Sequence, residues 1–442
     1  MTVSSFSRRL FLDRTIKGIV GLGLIPAWSG RAGQKAATQG TGYVYDPVFL
    51  DHILSETHPE SPERLLWINQ KLEETGVFAD CVQLDQGVAP EEYILEIHTQ
   101  RHHGLIQDKP TTGPVAVEAV SAVLGAIQAA AGGTIRNAFC AIRPPGHHSH
   151  SDDGGENGFC FYSNIAIAAR YAQIACQFEK ILIIDWDYHH GNGTEAAFYS
   201  DPSVLFFSTQ IPSAWPGTGY ASRTGEGDGE GFNINAEMLS GATNDDFAKV
   251  YDDILIPAAE SFQPDLVLIS SGFDSKRNDY LGYFDLTCEG YSCLTRKAMD
   301  IADTYCEGRL VSLLEGGYSD GRDSVGSFYG LANTANAHIA TLLSNELQPE
   351  CDYYSRTKRI PVSSRDNPDI FVRNRKLYIQ SNISAIEKIR IMRADGMTVQ
   401  TMREESLARI PVDLGKLKLA QGRYFIAAVM KNNKELIIPF TL

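Results

Sequence analysis

No Cys-x-x-Cys pair occurs in this 442-residue chain, and its eight cysteines, Cys81, Cys140, Cys160, Cys176, Cys288, Cys293, Cys306 and Cys351, are scattered. A disulfide-dense secreted miniature is therefore excluded, and most of the thiols are expected to be buried small apolar side chains. Beyond residue 40 we read no unbroken apolar run of the roughly 18 to 20 residues that a bilayer span needs, so the mature protein is expected to have no membrane span. Positive charge is short as well, with 39 Lys+Arg against 54 Asp+Glu and a formal charge of -15. Residues 1–37 hold six basic side chains, Arg8, Arg9, Arg14, Lys17, Arg31 and Lys35, against the single acid Asp13; removing that +5 leaves -20 on the remainder. Such a body repels a phosphate backbone, which argues against a nucleic-acid partner and favours cationic or neutral substrates. With 43% hydrophobic residues the chain is not a disordered tail, and its length accommodates one large domain and a smaller one.

The first 37 residues have the form of a twin-arginine export signal. Arg8-Arg9 precedes Leu10-Phe11-Leu12, a Gly-containing apolar stretch from Ile16 to Ala27 follows, and small residues surround Gly30 and Ala32. The expectation is a leader over residues 1–37 and a periplasmic or otherwise exported mature protein.

Between about residues 38 and 350, helical patterns alternate with short apolar runs. The runs at 180–185, 204–208, 266–270 and 310–315 are continuous and rich in branched residues, as strands buried on both faces are. The helical patterns cover 115–131, 163–178, 245–262 and 290–305. Together they predict an α/β fold with a parallel sheet flanked by helices, whose polar strand ends gather ligands at the carboxyl edge. Residues 351–369 read as a polar linker. Residues 370–442 show short alternating runs with turn signals, the pattern of a small all-β sandwich.

Four strand ends carry the chemistry. Asp185-Trp186-Asp187-Tyr188-His189 follows an apolar strand, and alternation places Asp185, Asp187 and His189 on one side. Asp and His are suitable zinc ligands, and Ser270-Ser271-Gly272-Phe273-Asp274 ends another strand with a further oxygen ligand; two carboxylates and one imidazole leave a metal position open for water. Arg143-Pro144-Pro145-Gly146-His147-His148 holds two imidazoles on a stiff turn, suited to moving protons near neutral pH. Leu314-Glu315-Gly316-Gly317-Tyr318 leads to a phenol that can donate to a developing oxyanion.

PPGHH, GFCFYSN from Gly158 to Asn164, DWDYHHGNGT, SSGFD and LEGGY, in this order, resemble the histone deacetylase family, including bacterial acetylpolyamine amidohydrolases and class II-like members. Shorter matches are His58-Pro59-Glu60 with Pro62 and Arg64, Pro216-Gly217-Thr218-Gly219 and Asp279-Tyr280-Leu281-Gly282. The resemblance covers about residues 42–345. It implies the arginase/deacetylase α/β fold, hydrolysis of an N-acetyl amide, and Zn2+ bound by Asp187, His189 and Asp274. It further implies that Asp185 orients His147, that His148 is general base and acid, that Asn192 pairs with His148 as in class II-like members, and that Tyr318 polarises the acetyl carbonyl. Gly158, Phe159 and Trp215 would wall a narrow substrate channel, and a structural K+ would sit near Asp185, Asp187, His189 and the Ser208 strand end. The segment Ser149–Asn157, near the expected pocket mouth, is about two residues longer than usual and carries His150, Asp152, Asp153 and Glu156; its acidic residues could attract a cationic amine, but solvated loop residues are the favoured reading. His98, His102 and His103 are read as structural residues near the rim.

Two other functions fit the residues less well. An arginase-like ureohydrolase with two manganese ions needs an Asp two residues beyond Asp274, where Lys276 stands. A non-catalytic exported binding protein would have lost a ligand or Tyr318, and none is missing. An exported enzyme does not meet histones, which leaves acetylated polyamines, other small acetylated amines or acetyl-lysine peptides as substrates. Oligomeric state is not legible in the sequence.

Overall fold

The computed structural model describes residues 40–344 apart from 56, 85–86, 88–90 and 320–329, together with strand segments between 370 and 441. The leader expected over 1–37 and the linker expected over 351–369 lie outside the described residues. The chain divides into two units, residues 1–348 and 349–442.

The first unit is built on an eight-stranded sheet: β1 Gly40–Val44, β2 Val82–Gln83, β3 Ile135–Cys140, β4 Ile181–Asp185, β5 Val204–Gln210, β6 Asn233–Glu237, β7 Leu266–Ser271 and β8 Leu310–Leu314. Every neighbouring pair is parallel, in the order β2-β1-β3-β8-β7-β4-β5-β6. The apolar runs predicted as strands are β4, β5, β7 and β8. The sequence does not predict β1, β3 and β6, which carry Gly, Asn or Arg among their apolar residues, or β2, which is only two residues long, so none of them gives a continuous signal.

Burial of Ile181, Leu182, Ile183 and Ile184 is complete, each contributing on the order of 1.5–3 kcal/mol. That packing fixes the register of β4 between β5 and β7, so that Asp185 lies opposite Ser208 and Ser270. The helices Thr112–Ala131, Asn164–Cys176 and Cys288–Tyr305 contribute buried faces to the core. The helix Thr112–Ala131 is long and apolar enough to cross a bilayer by length and composition, although Glu118, Ser121 and Gln128 interrupt its apolar run. Val115, Ala119, Ala122, Val123, Ala126 and Ile127 are instead packed in the main core cluster. The seven described cysteines are free thiols, five of them buried.

In the second unit, strands Ile370–Arg373, Lys376–Ile379 and Val412–Asp413 form one antiparallel sheet. Ile386–Arg393, Thr398–Arg403, Arg423–Met430 and Glu435–Thr441 form another. The turn signals at 394–396 and 421–422 lie outside the described residues.

Candidate active site

Strands β3, β8, β7 and β4 are consecutive neighbours in the sheet, and the four motifs picked from the sequence extend from their carboxyl ends. Asp187, His189 and Asp274 converge, with one ligand atom from each lying within 4.8 Å of the others. His189 Nδ1 is 3.2 Å from Asp187 Oδ1 and 3.0 Å from Asp274 Oδ2. Backbone donors hold the carboxylates in place: Gly316 N–H donates to Asp187 Oδ2 (2.8 Å) and Tyr188 N–H to Asp274 Oδ1 (2.8 Å).

Two glycines make room for this cluster. A Cβ at Gly272 would lie 2.0 Å from Asp187 Oδ2, and one at Gly316 would lie 2.4 Å from Asp274 Oδ2 and 2.5 Å from Asp187 Oδ2. Neither has a positive φ, so the requirement is space and not backbone conformation.

The electrostatics fit a bound cation. Burial opposes the charge of Asp187, but His147 and His189 hold it well below the usual carboxylate range. Burial and the neighbouring Asp187 charge push Asp274 up to about 6. Burial opposes a charge on His189 too, yet its two carboxylate partners raise it to about 10. Two buried carboxylates sharing one imidazole nitrogen lack only positive charge at their meeting point, and the donor set of two oxygens and one nitrogen suits zinc.

His147 and His148 stand beside this cluster with ring centroids 3.9 Å apart. His147 Nδ1–H donates to Asp185 Oδ2 (2.9 Å), and its Nε2 lies 3.8 Å from Asp187 Oδ2. Burial alone depresses His147, but the carboxylates of Asp187, Asp185 and Glu315 outweigh it and hold the ring well above its ordinary value. A cation on Asp187 would weaken that pull. His148 Nδ1 is 2.8 Å from Asn192 Oδ1; burial first, then His147 and His189, hold His148 well below the ordinary range. The two adjacent imidazoles are thus driven apart in basicity, which suits them to different tasks.

The remaining sequence-picked residues gather at the same place. Phe159 meets Tyr318 edge-on at 6.0 Å, and Trp215 meets His148 at 4.6 Å and His189 at 5.9 Å. Gly158 lies between them, since a Cβ there would sit 2.3 Å from Trp215 and 2.6 Å from His148. Both Gly158 (φ 54) and Phe159 (φ 69) occupy the left-handed region; glycine adopts it freely, whereas Phe159 is strained there, as residues at functional sites often are. Trp215 is half exposed and borders a recess of about 470 Å3 that Tyr188, His189, Leu281 and Tyr283 also line. Burial holds the Tyr318 phenol well above its ordinary value, so it remains a donor.

Several residues that support the site stand in the motifs quoted above, but their partners were not legible in the sequence. Glu315, which burial pushes up to about 7, accepts from Gly146 N–H (2.7 Å) and His147 N–H (3.2 Å). Asp279 accepts from Tyr318 N–H and Ser319 N–H at 2.8 and 2.9 Å. Buried Glu60 pairs with Arg64 and Arg143, and Arg64 donates to the carbonyls of Gly317 and Glu315. Spacing could not reveal these partners, because they are separated by up to 253 residues.

Two sequence readings change. His98, His102 and His103 are structural as expected but buried, bonding beneath the 158–164 segment and not at the rim. Asp153 is not simply solvated, since its carboxylate accepts from His150 N–H. Asp152 pairs with Arg101 at the surface.

A parallel sheet covered on both faces gathers at its strand ends three side chains that could hold a metal ion, a histidine couple and a phenol, an arrangement suited to hydrolysis. The sequence matches the histone deacetylase domain over residues 105–329. A "Probable deacetylase" of Archaeoglobus fulgidus is 40% identical over 295 residues, covering 63% of this chain and 81% of that protein. "Histone deacetylase 5" of Arabidopsis thaliana is 36% identical over 311 residues, covering 63% of this chain but 46% of the longer relative. The crystal structure of the HDA15 HD domain superposes with a TM-score of 0.63 at 31% identity, covering 71% of this chain and 90% of that one. The chain belongs to the histone deacetylase domain family.

Proposed function

We propose that the chain is a zinc-dependent deacetylase that hydrolyses the N-acetyl amide of a linear amine: acetyl-lysine, an acetylpolyamine or a related small acetylated amine. The observation that carries this reading is the convergence of Asp187, His189 and Asp274 within 4.8 Å, directly beside the Asp185–His147 and Asn192–His148 pairs. Zinc held by that triad would supply Lewis acidity at the acetyl oxygen and would lower the pKa of water toward neutrality.

The chain's own residues do the rest. With its basicity depressed, His148 is neutral near pH 7 and accepts the proton of the attacking water at Nε2, since Nδ1 is committed to Asn192. It then returns that proton to the leaving amine, whose expulsion is otherwise unfavourable. His147, held by Asp185, stands beside the attacking water as a second donor and stabilises negative charge. Tyr318 donates its O–H to the developing oxyanion. Phe159 and Trp215 exclude water around the acyl-amine stem.

The same proposal assigns the chain to the class II-like branch through Asn192, places a structural K+ near Asp185 and the Ser208 strand end, and treats residues 1–37 as a twin-arginine leader and 370–442 as a β-sandwich. The test is metal analysis of the purified protein together with a panel of N-acetylated peptides, polyamines and small amines. Zinc content with acetate release from at least one substrate class is the expected result; a zinc-loaded protein that cleaves none of them refutes the reading. Fractionation of the expressing host tests export, with the mature chain expected outside the cytoplasm.

A further inference from the structure

The hydrogen-bond chain from His148 does not end at Asn192. Asn192 Oδ1 lies 2.8 Å from His148 Nδ1, and its Nδ2 lies 2.8 Å from His150 Nε2. His150 belongs to the loop that follows the histidine couple, and it is half-buried.

Its position is built by the neighbouring helix and turn. His98 Nδ1–H donates to the His150 carbonyl (3.0 Å), while His98 Nε2 accepts from Ser163 N–H (2.9 Å). His150 N–H donates to the Asp153 carboxylate, and Asp153 N–H donates to His102 Nδ1 (3.3 Å). His102 Nε2–H in turn donates to the Phe161 carbonyl (2.7 Å). Thr99 N–H also donates to the carbonyl of Ser151 (2.9 Å). The loop is therefore clamped on both sides of His150.

A carboxylate facing His148 accepts only and would fix that ring's tautomer unaided. A carboxamide accepts at one end and donates at the other, and nothing intrinsic to it chooses which end faces His148. With Oδ1 toward His148, the ring must carry its proton on Nδ1, and Nε2 is free to take a proton from water. With the amide turned by half a rotation, His148 Nδ1 becomes the acceptor, its proton sits on Nε2, and the ring cannot act as base. The choice falls to whatever meets the other end of the amide. Here that group is His150, which through Nε2 accepts from Nδ2 when its own proton is on Nδ1.

We propose that His150 is a positioning residue: by accepting from Asn192 Nδ2 it orients the carboxamide and thereby sets the His148 tautomer with Nδ1–H and a free Nε2. This deepens the proposed function and rests on its assignment of His148 as base.

The test reads the tautomer directly and does not depend on activity. The full chain, purified with its zinc and isotopically labelled in its histidine ring nitrogens, is examined by NMR, with the His148 signals identified by their loss in His148→Gln. In the wild type, His148 is expected to carry its proton on Nδ1. In His150→Leu the acceptor is gone, and the ratio of the two tautomers is expected to move toward Nε2–H by about three- to tenfold, the worth of one hydrogen bond. His150→Glu supplies an acceptor that never donates and is expected to restore Nδ1–H. A wild type carrying Nε2–H, a Leu variant indistinguishable from wild type, or a Glu variant carrying Nε2–H overturns the proposal, and the first and third hold even if the Leu variant does not fold. If the expected tautomers appear but no acetyl substrate is cleaved, the functional reading fails while the positioning role stands.

Discussion

Replacing Gly272 with alanine tests the metal triad through a residue that ligates nothing. The added Cβ would lie 2.0 Å from Asp187 Oδ2, 2.4 Å from its Cγ and 2.5 Å from its Cβ. Contacts between non-bonded heavy atoms are favourable at about 3.5–4.0 Å, so the carboxylate must retreat by roughly 1 Å or more. A metal site tolerates about 0.2 Å in its ligand distances. Asp187 cannot yield by rotating freely, because Gly316 N–H and His189 N–H already hold its two oxygens. The strand behind is equally fixed, since Ser270, Ser271 and Phe273 are fully buried. The expected outcome is a loss of zinc affinity of at least about 100-fold, the upper end of what disturbing a ligand's supporting contacts costs. Competition titration against a chelator of known affinity measures it, with circular dichroism reporting that the fold persists. Zinc affinity within threefold of wild type in a folded Gly272→Ala protein would refute the argument that Asp187 is a ligand held in its observed position.

Tyr318→Phe removes the phenol proposed to donate to the oxyanion and should lower turnover by about 10²- to 10³-fold while zinc content, read by metal analysis, is unchanged. Zinc affinity should fall with decreasing pH and steepen to more than about tenfold per unit below about 6, because His189, raised to about 10, and Asp274, pushed up to about 6, must both release a proton to coordinate; a titration that is flat between pH 5 and 7 contradicts this. Glu60→Gln should cost about 3–5 kcal/mol in denaturant unfolding, since it leaves the buried guanidinium groups of Arg64 and Arg143 without their carboxylate. Burial opposes the charge of Glu60, yet Arg143, His52 and Arg64 hold it well below its unfolded value. Its contribution is therefore complete above the ordinary glutamate value of about 4.3 and is lost as pH falls toward the folded value, so the Glu60→Gln deficit should shrink in acid.

The sequence by itself determined the parallel character of the sheet, four of its eight strands and most of the candidate site. Strands β4, β5, β7 and β8 are continuous branched apolar runs, and a doubly covered strand leaves no polar face to break that signal. Asp185, Asp187, His189 and Asp274 were legible because each lies within a few residues of such a strand end, where alternation and chain direction leave little freedom. Tertiary structure alone decided the strand order that makes β3, β8, β7 and β4 neighbours, the space that Gly272 and Gly316 surrender to the carboxylates, and the buried Glu60–Arg64–Arg143 cluster behind Tyr318. It also decided that His150, which reads as a loop residue, meets the far end of the Asn192 carboxamide. Local pattern reports which side of its own element a residue faces; what it faces there is set by segments tens to hundreds of residues away, and that information exists only once the chain has closed on itself.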